Sequence, residues 1–553
     1  YTAFYTLSLH DALPILKAKG PMGLSGSEYQ PVSDVRSFWD ILSEKGIRTR
    51  VIRWPVTFPP HEVNGVLLAG LGTPDVTGGL GAYTFFTTAP VSPDDKAPER
   101  VVQVKWNGNL IETALPGPQV TGITGPKRSH LPMRIARTGD DGVEVAFGKA
   151  GTIELKKGEW SGWTPIQFPA GLSKKCPAMV RAYLTSVEPE FQLYVSPLEI
   201  DPSEPSVAIT SPTDFSKELS DELGRFATLG LPEDTQAARH GRISMQAFLE
   251  SCNDITTERE AMLKRELKQF DSGLLAVVFD TSDRIQHMFR AAANPEHPAH
   301  TKELGDSFGK VIEDHYRRMD ADLGTILDSV GSDTAVFVMS DHGFADFARA
   351  AHLNTWLVQN GYMTLKEGVK EGDPLLKSVD WSRTKAYAVG FCGLYVNLGG
   401  RESKGVVEPG DARRRLLDEL TQKLREWRDA DNPVVRNAYV AEEVYQGEHL
   451  ADAPDIVMGY YPAYRGSWQT ALGAAPAGEA VVTNDDLWSG DHLVDSPCVL
   501  GTFLSNVKCT TTRTVSQQRC VARSAKTQTL CLSVRCVTSK LFQPPLPSPK
   551  RDT

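Results

Sequence analysis

The chain lacks the cysteine spacing and the long apolar runs that mark two special classes of protein. Of its eight cysteines, the four outside the C-terminal tail lie far apart and form no CxxC pair; they are Cys176, Cys252, Cys392 and Cys498. A disulfide framework or a structural zinc site would need closer or more regular spacing. No apolar stretch approaches the roughly 20 residues that a transmembrane helix needs. The sequence therefore gives no indication of a disulfide scaffold or of a membrane span.

Positive charge is not in excess either. The 553 residues include 59 Lys and Arg against 69 Asp and Glu, which gives a formal net charge of −10 at pH 7. Because a nucleic-acid-binding protein usually presents a basic face, we expect no nucleic-acid partner. With 41% hydrophobic and 23% charged residues, the composition is that of a globular protein long enough for several domains.

The two ends of the chain differ from its body. After Asn506 there are nine Lys and Arg, one acidic residue and no helical or strand periodicity. We expect a non-native or disordered tail over 508–553, with a basic tail that binds an anionic surface as the alternative. Residues 1–16 lack the basic region of a signal peptide and resemble translated adapter sequence. We interpret them as a non-native leader, and the cellular compartment stays open.

Between these ends, the apolar pattern changes from α/β to β-rich and back. Residues 17–98 and 205–507 alternate helical periodicity with short apolar strands, which favours a mostly parallel sheet flanked by helices. Residues 99–204 consist of short β-prone runs separated by Gly, Pro and Asp. We therefore predict an α/β core that is interrupted by an inserted β-rich module over 99–204.

Two runs in the core predict fully buried strands. Leu274–Phe279 and Thr334–Met339 are uninterrupted apolar segments, which are typical of strands covered on both faces. A long helix is predicted over 304–330, so strand, helix and strand should form a right-handed crossover with both strands parallel. A second long helix is expected over 235–270.

Carboxylates and histidines follow both of these strands. Asp283 and His287 come after the first strand and are four residues apart, so on a helix they would share one face. Asp341 and His342 come directly after the second strand, where a tight loop lets two neighbours hold two different ions. Gly343, the next residue, would allow an unusual backbone angle there.

A third segment, residues 488–493, adds His492 from distant sequence. Alone, each motif is weak, because Asp and His at such spacing are common as helix caps and surface residues. Together they predict a two-metal site at one edge of the sheet, since two of the three follow buried strands. The mixed nitrogen and oxygen ligands suit zinc or manganese better than calcium, which prefers oxygen alone.

These segments resemble the metal-binding segments of a known superfamily. Residues 279–289, 338–344 and 488–499 are similar to those of the alkaline phosphatase superfamily, in particular its type I phosphodiesterase/nucleotide pyrophosphatase branch. The resemblance implies an alkaline-phosphatase-like core. It also implies a hydrolase that acts on small phosphoric esters.

The resemblance further implies how the ligands are divided between two divalent ions. Asp283, His287 and His492 would hold the first ion, and Asp341 and His342 would complete the site of the second. The ions implied are zinc, with manganese as the alternative. Nothing in the sequence identifies the substrate beyond a small phosphoester.

The sequence departs from this superfamily at its N-terminal side. The superfamily uses a Thr or Ser nucleophile at a helix start, shortly after a strand that carries a metal-binding Asp. No such unit is found before Trp39. We therefore expect the nucleophile and one ligand to be missing, so that no catalytic residue can be named. The chain as given should be inactive or nearly so and should bind the second metal weakly.

Three alternatives stay open. A sulfatase of the same superfamily typically holds one calcium through oxygen-rich ligands, and His287 and His492 argue against it. A phosphomutase would differ in its inserted domain, which the sequence does not distinguish. A non-catalytic relative would keep the metals without a nucleophile.

Overall fold

The computed structural model describes most of the chain. The described residues are 36–507, except 93–94, 123–124, 150 and 171–173, together with three strands outside that range, Ile15–Lys17, Glu28–Gln30 and Gln528–Val534.

The strands build a central sheet, a β-rich module and several smaller sheets. In chain order they are β1 (Ile15–Lys17), β2 (Glu28–Gln30), β3 (Thr49–Trp54), β4 (Gly65–Ala69), β5 (Thr84–Thr87), β6 (Val101–Gln103), β7 (Leu110–Gly122), β8 (Gly125–Arg137), β9 (Gly142–Phe147), β10 (Gly151–Lys156), β11 (Thr164–Pro169), β12 (Lys175–Val180), β13 (Ala182–Ser186), β14 (Gln192–Val195), β15 (Thr210–Ser211), β16 (Leu274–Phe279), β17 (Thr334–Met339), β18 (Ala345–Ala351), β19 (Ala386–Val389), β20 (Gly393–Val396), β21 (Arg428–Asp429), β22 (Asn432–Pro433), β23 (Val435–Val440), β24 (Ile456–Tyr460), β25 (Ala463–Gly466), β26 (Val481–Thr483), β27 (Gly490–Asp491), β28 (Phe503–Ser505) and β29 (Gln528–Val534).

The helices cover the faces of these sheets. In chain order they are α1 (Phe38–Glu44), α2 (Phe215–Leu223), α3 (Thr235–Arg239), α4 (Met245–Lys268), α5 (Thr281–Ala293), α6 (Lys302–Phe308), α7 (Val311–Ser329), α8 (Leu353–Gln359), α9 (Asp411–Glu426), α10 (Ala441–Val444) and α11 (Trp468–Ala471). Among the described residues, none of these helices combines the length and the apolar character that a bilayer crossing requires.

The central sheet has the strand order β15-β4-β3-β16-β29-β17-β28. The five inner strands are parallel, and the two edge strands run antiparallel to their neighbours. Every residue of β16 is buried, as expected for a strand with helices on both faces. One face packs against α1, and the other packs against α2, α4 and α7. The predicted mixed α/β fold and the fully buried strand β16 are confirmed, and β17 is buried except at Val338, which is partly buried. The likeness to the alkaline phosphatase core stays a prediction.

Two helices predicted as continuous are broken in the structure. The segment 235–270 contains α3 and α4, separated by a turn in which Gly241 has φ +68° and Ser244 accepts a hydrogen bond from the amide of Ala247. The segment 304–330 contains α6 and α7, separated at Gly309 and Lys310. Glycine weakens a helix interior by roughly 1 kcal/mol, and the Ser244 cap starts a new helix, so local chemistry overrides the helical periodicity.

The β-rich module consists of β5 to β14. Its strands form the sheets β10-β9-β8-β7, β11-β12 and β13-β14-β5-β6, which share one hydrophobic core. Because β5 pairs with β14, the β-rich part of the structure already includes Thr84–Thr87, ahead of the predicted start at residue 99. The module returns the chain to the central sheet through β15, which pairs with β4.

One strand lies in the C-terminal tail, where the sequence pattern predicted none. β29 runs parallel to β16 and β17 and lies between them, with Val534 opposite Phe279 and Ser533 opposite Met339. The seven residues of β29 are not predicted as a strand, because the basic, cysteine-rich composition of residues 508–553 shows no clear strand pattern. For the rest of residues 508–553, the expectation of a non-native or disordered tail stays a prediction, because those residues lie outside the described ones.

Because β16 is buried on both faces, the stability of the protein should fall when a side chain of this strand is made smaller. Leu275 is fully buried, whereas Leu327 on α7 is 45% exposed. We expect Leu275→Ala to lower the free energy of unfolding by about 2–5 kcal/mol, because it removes buried methyl groups and leaves a cavity. Leu327→Ala is the matched control and should change it by about 0.5 kcal/mol or less. Denaturant unfolding measures both, and equal losses would contradict the assignment of β16 to the core.

Candidate metal centre

The first two candidate ligands lie on the helix that follows β16. The strand ends at Phe279, and α5 begins at Thr281, so Asp283 is in the first turn and His287 is one turn later. Residues four apart share a helix face, and both side chains are almost fully buried. The Nε2 atom of His287 lies 3.3 Å from the Oδ1 atom of Asp283.

A distant loop brings His492 to the same place. β27 pairs with β18, which follows the Asp341–His342 loop, and this pairing places the residue after β27 beside α5. The Nε2 atom of His492 lies 3.7 Å from the Oδ2 atom of Asp283. In this group of Asp283, His287 and His492, the possible ligand atoms all lie within 4.8 Å of one another. Such spacing lets three side chains bind one ion.

The hydrogen bonds of His287 fit a metal-binding role. Its Nδ1 atom is 2.7 Å from the carbonyl oxygen of Gly490, so Nδ1 carries the proton and donates, which leaves Nε2 as a lone-pair donor. The ring also stacks on Trp488 with centroids 3.8 Å apart. Gly490 is needed for this approach, because a Cβ atom there would lie 2.3 Å from the carbonyl oxygen of Gln286.

Asp341 and His342 lie at the end of β17, on the other side of the same site. The Nε2 atom of His342 is 3.6 Å from the Oδ2 atom of Asp341 and 3.9 Å from the Oδ2 atom of Asp283. The ring of His342 stacks on that of His492 with centroids 3.6 Å apart. The structure thus brings all five predicted residues together, with three in one cluster and two beside it.

Gly343 has a different role from the one expected. The glycine residues with positive φ among the described residues do not include it. Instead, a Cβ atom at this position would lie 2.9 Å from the carbonyl oxygen of Leu500. The loop after β17 therefore needs glycine for close packing against the chain near Leu500, and the predicted unusual backbone angle is wrong.

The electrostatics of the cluster favour an ionised Asp283 carboxylate beside a neutral His492 imidazole. Burial raises the pKa of Asp283, but the adjacent charge of Arg284 and the nearby rings of His287 and His492 outweigh it, so this pKa lies well below its ordinary value. Burial, with His342 next in effect, lowers the pKa of His492 far below its ordinary value. Metal ions bind the deprotonated forms of both groups. The residues present therefore fit a divalent cation.

Comparison with known proteins identifies the family. The model of the type I phosphodiesterase / nucleotide pyrophosphatase family matches residues 191–470, just over half of the chain. The chain belongs to this family. Its members hydrolyse phosphodiester and pyrophosphate bonds and typically depend on metal ions. No curated protein and no solved structure gave a match. The matched range includes Asp283, His287, Asp341 and His342, whereas His492 lies beyond it.

A buried ion pair stabilises the loop that carries His492. The sequence pattern does not predict this pair. Asp491 is 2% exposed, and its Oδ2 atom accepts hydrogen bonds from Arg465 at 2.6 Å and from the indole of Trp488 at 2.8 Å. Its Oδ1 atom accepts from the backbone amides of His492 and Leu493 at 2.8 and 3.0 Å. The Asp491 carboxylate therefore fixes the backbone of His492, one candidate ligand. It also fixes the ring of Trp488, which stacks on His287, another candidate ligand.

The guanidinium group of Arg465 is enclosed by aromatic rings. It lies 4.2–4.4 Å from the ring centroids of Phe347, Phe391 and Trp468. The apolar periodicity of the sequence cannot show that an arginine lies among aromatic rings. Nor can it show that this arginine pairs with an aspartate 26 residues further along the chain. The sequence shows only that Arg465 lies between two aromatic residues, Tyr464 and Trp468.

Loss of the Asp491 charge should weaken metal binding at the cluster. We expect Asp491→Asn to reduce zinc affinity by about 10–100-fold, the usual effect of removing a group that orients a ligand. Asp429→Asn is the matched control, since Asp429 also pairs with an arginine, Arg349, at 2.7 and 2.8 Å. Competition with a chelator measures affinity, and thermal melting verifies folding. Equal zinc affinities in the two folded variants would show that Asp491 does not position the ligands.

Proposed function

We propose that the chain has the fold of a metal-dependent hydrolase of the phosphodiesterase/nucleotide pyrophosphatase type. Such a hydrolase would act on small phosphoric esters at a two-metal site. Asp283, His287 and His492 would hold the first ion, and Asp341 and His342 would contribute to the second. Bound divalent ions of this kind stabilise negative charge on phosphoryl oxygens. Family membership and the three-residue cluster support this proposal.

The observation that carries the proposal is the orientation of His287. The bond from its Nδ1 atom to the Gly490 carbonyl directs Nε2 toward Asp283, in the arrangement of a metal-ligating histidine held by an outer partner. A histidine that only filled the core would not need a carboxylate and a second histidine within 4.8 Å. Zinc, or manganese as the alternative, matches these nitrogen and oxygen donors.

Three hydroxyl groups of described residues beside the ligand segments make structural hydrogen bonds. Thr281 donates to Glu233 at 2.6 Å, the Ser340 hydroxyl accepts from the amide of Thr502 at 2.7 Å, and the Ser489 hydroxyl accepts from the amide of Ala291 at 2.9 Å. A nucleophile would need its hydroxyl free to reach the phosphorus. None of these three hydroxyl groups is assigned as a nucleophile, and a non-catalytic metal-binding relative stays the second candidate.

Removal of a single predicted ligand should abolish tight metal binding. We expect His287→Ala to weaken zinc binding by more than roughly 100-fold, because even an outer partner contributes about 10–100-fold. His130→Ala, at an exposed position of the β-rich module, should leave affinity unchanged. Zinc titration with a competing chelator measures both variants. Unchanged affinity in His287→Ala would remove the basis for the proposed site.

Turnover tests whether the chain as given contains a nucleophile. We expect the zinc-loaded chain to hydrolyse bis(4-nitrophenyl) phosphate at a rate close to the uncatalysed background, because no Thr or Ser hydroxyl is assigned as a nucleophile among the described residues. A turnover number in the usual enzyme range, about 1–1000 per second, would show that a nucleophile is present and that the expected inactivity is wrong. The 4-nitrophenolate absorbance gives the rate, with His287→Ala as the metal-free reference.

A further inference from the structure

The short helix α3 contacts both the β-rich module and the ligand loop, which is the segment 484–492. Its N-cap residue, Asp234, accepts a hydrogen bond from the hydroxyl group of Tyr194 on β14 at 2.9 Å. Its C-cap residue, His240, shares a hydrogen bond of 2.8 Å with the hydroxyl group of Tyr83, next to β5. Because caps fix where a helix begins and ends, the module sets the position of α3 at both ends.

The turn after α3 is fixed to the module as well. Thr185 on β13 donates a hydrogen bond to the carbonyl oxygen of Arg242 at 3.0 Å. The guanidinium group of Arg242 pairs with Asp95, and both side chains are largely shielded from solvent. Salt screens such a shielded ion pair less than it screens a surface pair. The module therefore holds the chain before and after Arg239, the last residue of α3.

Arg239 connects α3 to the ligand loop. Its guanidinium group donates two hydrogen bonds to the carboxylate of Asp486, from Nε at 2.8 Å and from a terminal nitrogen at 2.7 Å. The same carboxylate accepts a hydrogen bond from the backbone amide of Trp488 at 3.1 Å. Burial raises the pKa of Asp486, but the hydrogen bond and the charge of Arg239 outweigh it, so this pKa lies below its ordinary value. The carboxylate is therefore ionised at neutral pH, as a two-point contact with arginine requires.

Arg239 also contacts the aromatic rings behind this loop. Its guanidinium group lies 4.8 Å from the ring centroid of Trp468, which is a favourable cation–π geometry. Trp468 makes an edge contact with the ring of Trp488, with centroids 5.6 Å apart. Trp488 in turn stacks on the ring of His287 with centroids 3.8 Å apart. Arg239 therefore reaches Trp488 by two routes, one through its backbone amide and one through its ring.

We propose that Arg239 is a positioning residue for the metal centre and that the β-rich module acts through it. The module fixes α3, Arg239 fixes the ligand loop, and Trp488 holds the ring of His287. A ring that is already held in one orientation loses less conformational entropy when it binds an ion. The inference rests on the proposed function only in that His287 must be a metal ligand.

Zinc affinity tests the role of Arg239. We expect Arg239→Ala to bind zinc about tenfold more weakly, at the lower end of the effect of removing a group that orients a ligand. Arg239→Lys should recover part of this loss, because an ammonium group keeps the charge beside Asp486 without the two parallel hydrogen bonds. Chelator competition measures affinity, and thermal melting verifies folding. Should Arg239→Ala fail to fold, Asp486→Asn removes the same pair from the side of the loop.

Arg413→Ala is the matched control. The side chain of Arg413 is 21% exposed against 15% for Arg239, and it also pairs with a carboxylate, that of Asp455, at 2.8 and 3.0 Å. This pair joins α9 to the residue before β24 and includes no residue of the ligand loop. Arg413→Ala should therefore leave zinc affinity unchanged.

The metal-free chain provides a second readout, which does not depend on zinc. Stacking on Trp488 places the ring protons of His287 in the shielding region of an indole, so their resonances should lie upfield of those of an ordinary histidine. We expect Arg239→Ala to move these resonances toward the ordinary position and Arg413→Ala to leave them in place. NMR of the histidine-labelled full chain measures the shift, and His287→Ala identifies the signals.

Tyr194→Phe tests the part that the module plays. It removes the hydrogen bond to Asp234 and should weaken zinc binding by at least about twofold, the effect of one lost hydrogen bond. If the module acts through Arg239, this loss should disappear when Tyr194→Phe is combined with Arg239→Ala, because both changes interrupt the same series of contacts. Losses that simply add would overturn the role of the module.

The outcomes separate this inference from the proposed function. Weaker zinc binding and a moved His287 signal in Arg239→Ala, with partial recovery in Arg239→Lys, would support the positioning role. Unchanged affinity, an unchanged signal, or an equal loss in Arg413→Ala would overturn the positioning role and leave the proposed function intact. A parent chain that binds no zinc would overturn the proposed function and, with it, the positioning role.

Discussion

The buried carboxylate of Asp283 is the constraint on which the metal centre depends. A carboxylate that is 1% exposed is unstable unless positive charge or hydrogen-bond donors surround it. The structure provides the positive charge of Arg284 beside it. A divalent cation would compensate the same charge more strongly. The site therefore has the electrostatic character of a cation site built from two separate parts of the chain, α5 and the loop that carries His492.

Position and orientation in this site come from different parts of the fold. The buried strand β16 and helix α5 set the position of Asp283 and His287, since parallel strands end at one edge of the sheet. Orientation comes from the loop around Asp491, whose carboxylate is held by Arg465. The ring of His287 is held by Trp488 and by the Gly490 carbonyl from the same loop. One buried ion pair thus controls the geometry of two candidate ligands.

Strands β16 and β17, and the residues that follow them, could be predicted from the sequence because a strand buried on both faces leaves an uninterrupted apolar run. The breaks at Gly241 and Gly309 could not be placed from periodicity, which ignores how one glycine or one cap ends a helix. The pairing of Arg465 with Asp491 was also inaccessible, since it depends on the path of the chain through β18 and β27. The local sequence pattern predicts these buried strands, whereas pairing between residues that are distant in the sequence determines the geometry of the metal centre.

The coordination shell of zinc bound to the full chain is the most direct test of the central claim, that Asp283, His287 and His492 form one cation site. X-ray absorption at the zinc edge measures it. We expect imidazole nitrogens at about 2.0–2.1 Å and carboxylate oxygen at about 2.0–2.2 Å, with the imidazole signal reduced in His492→Ala. A shell that contains sulfur at about 2.3 Å, or one that His492→Ala leaves unchanged, would contradict the claim.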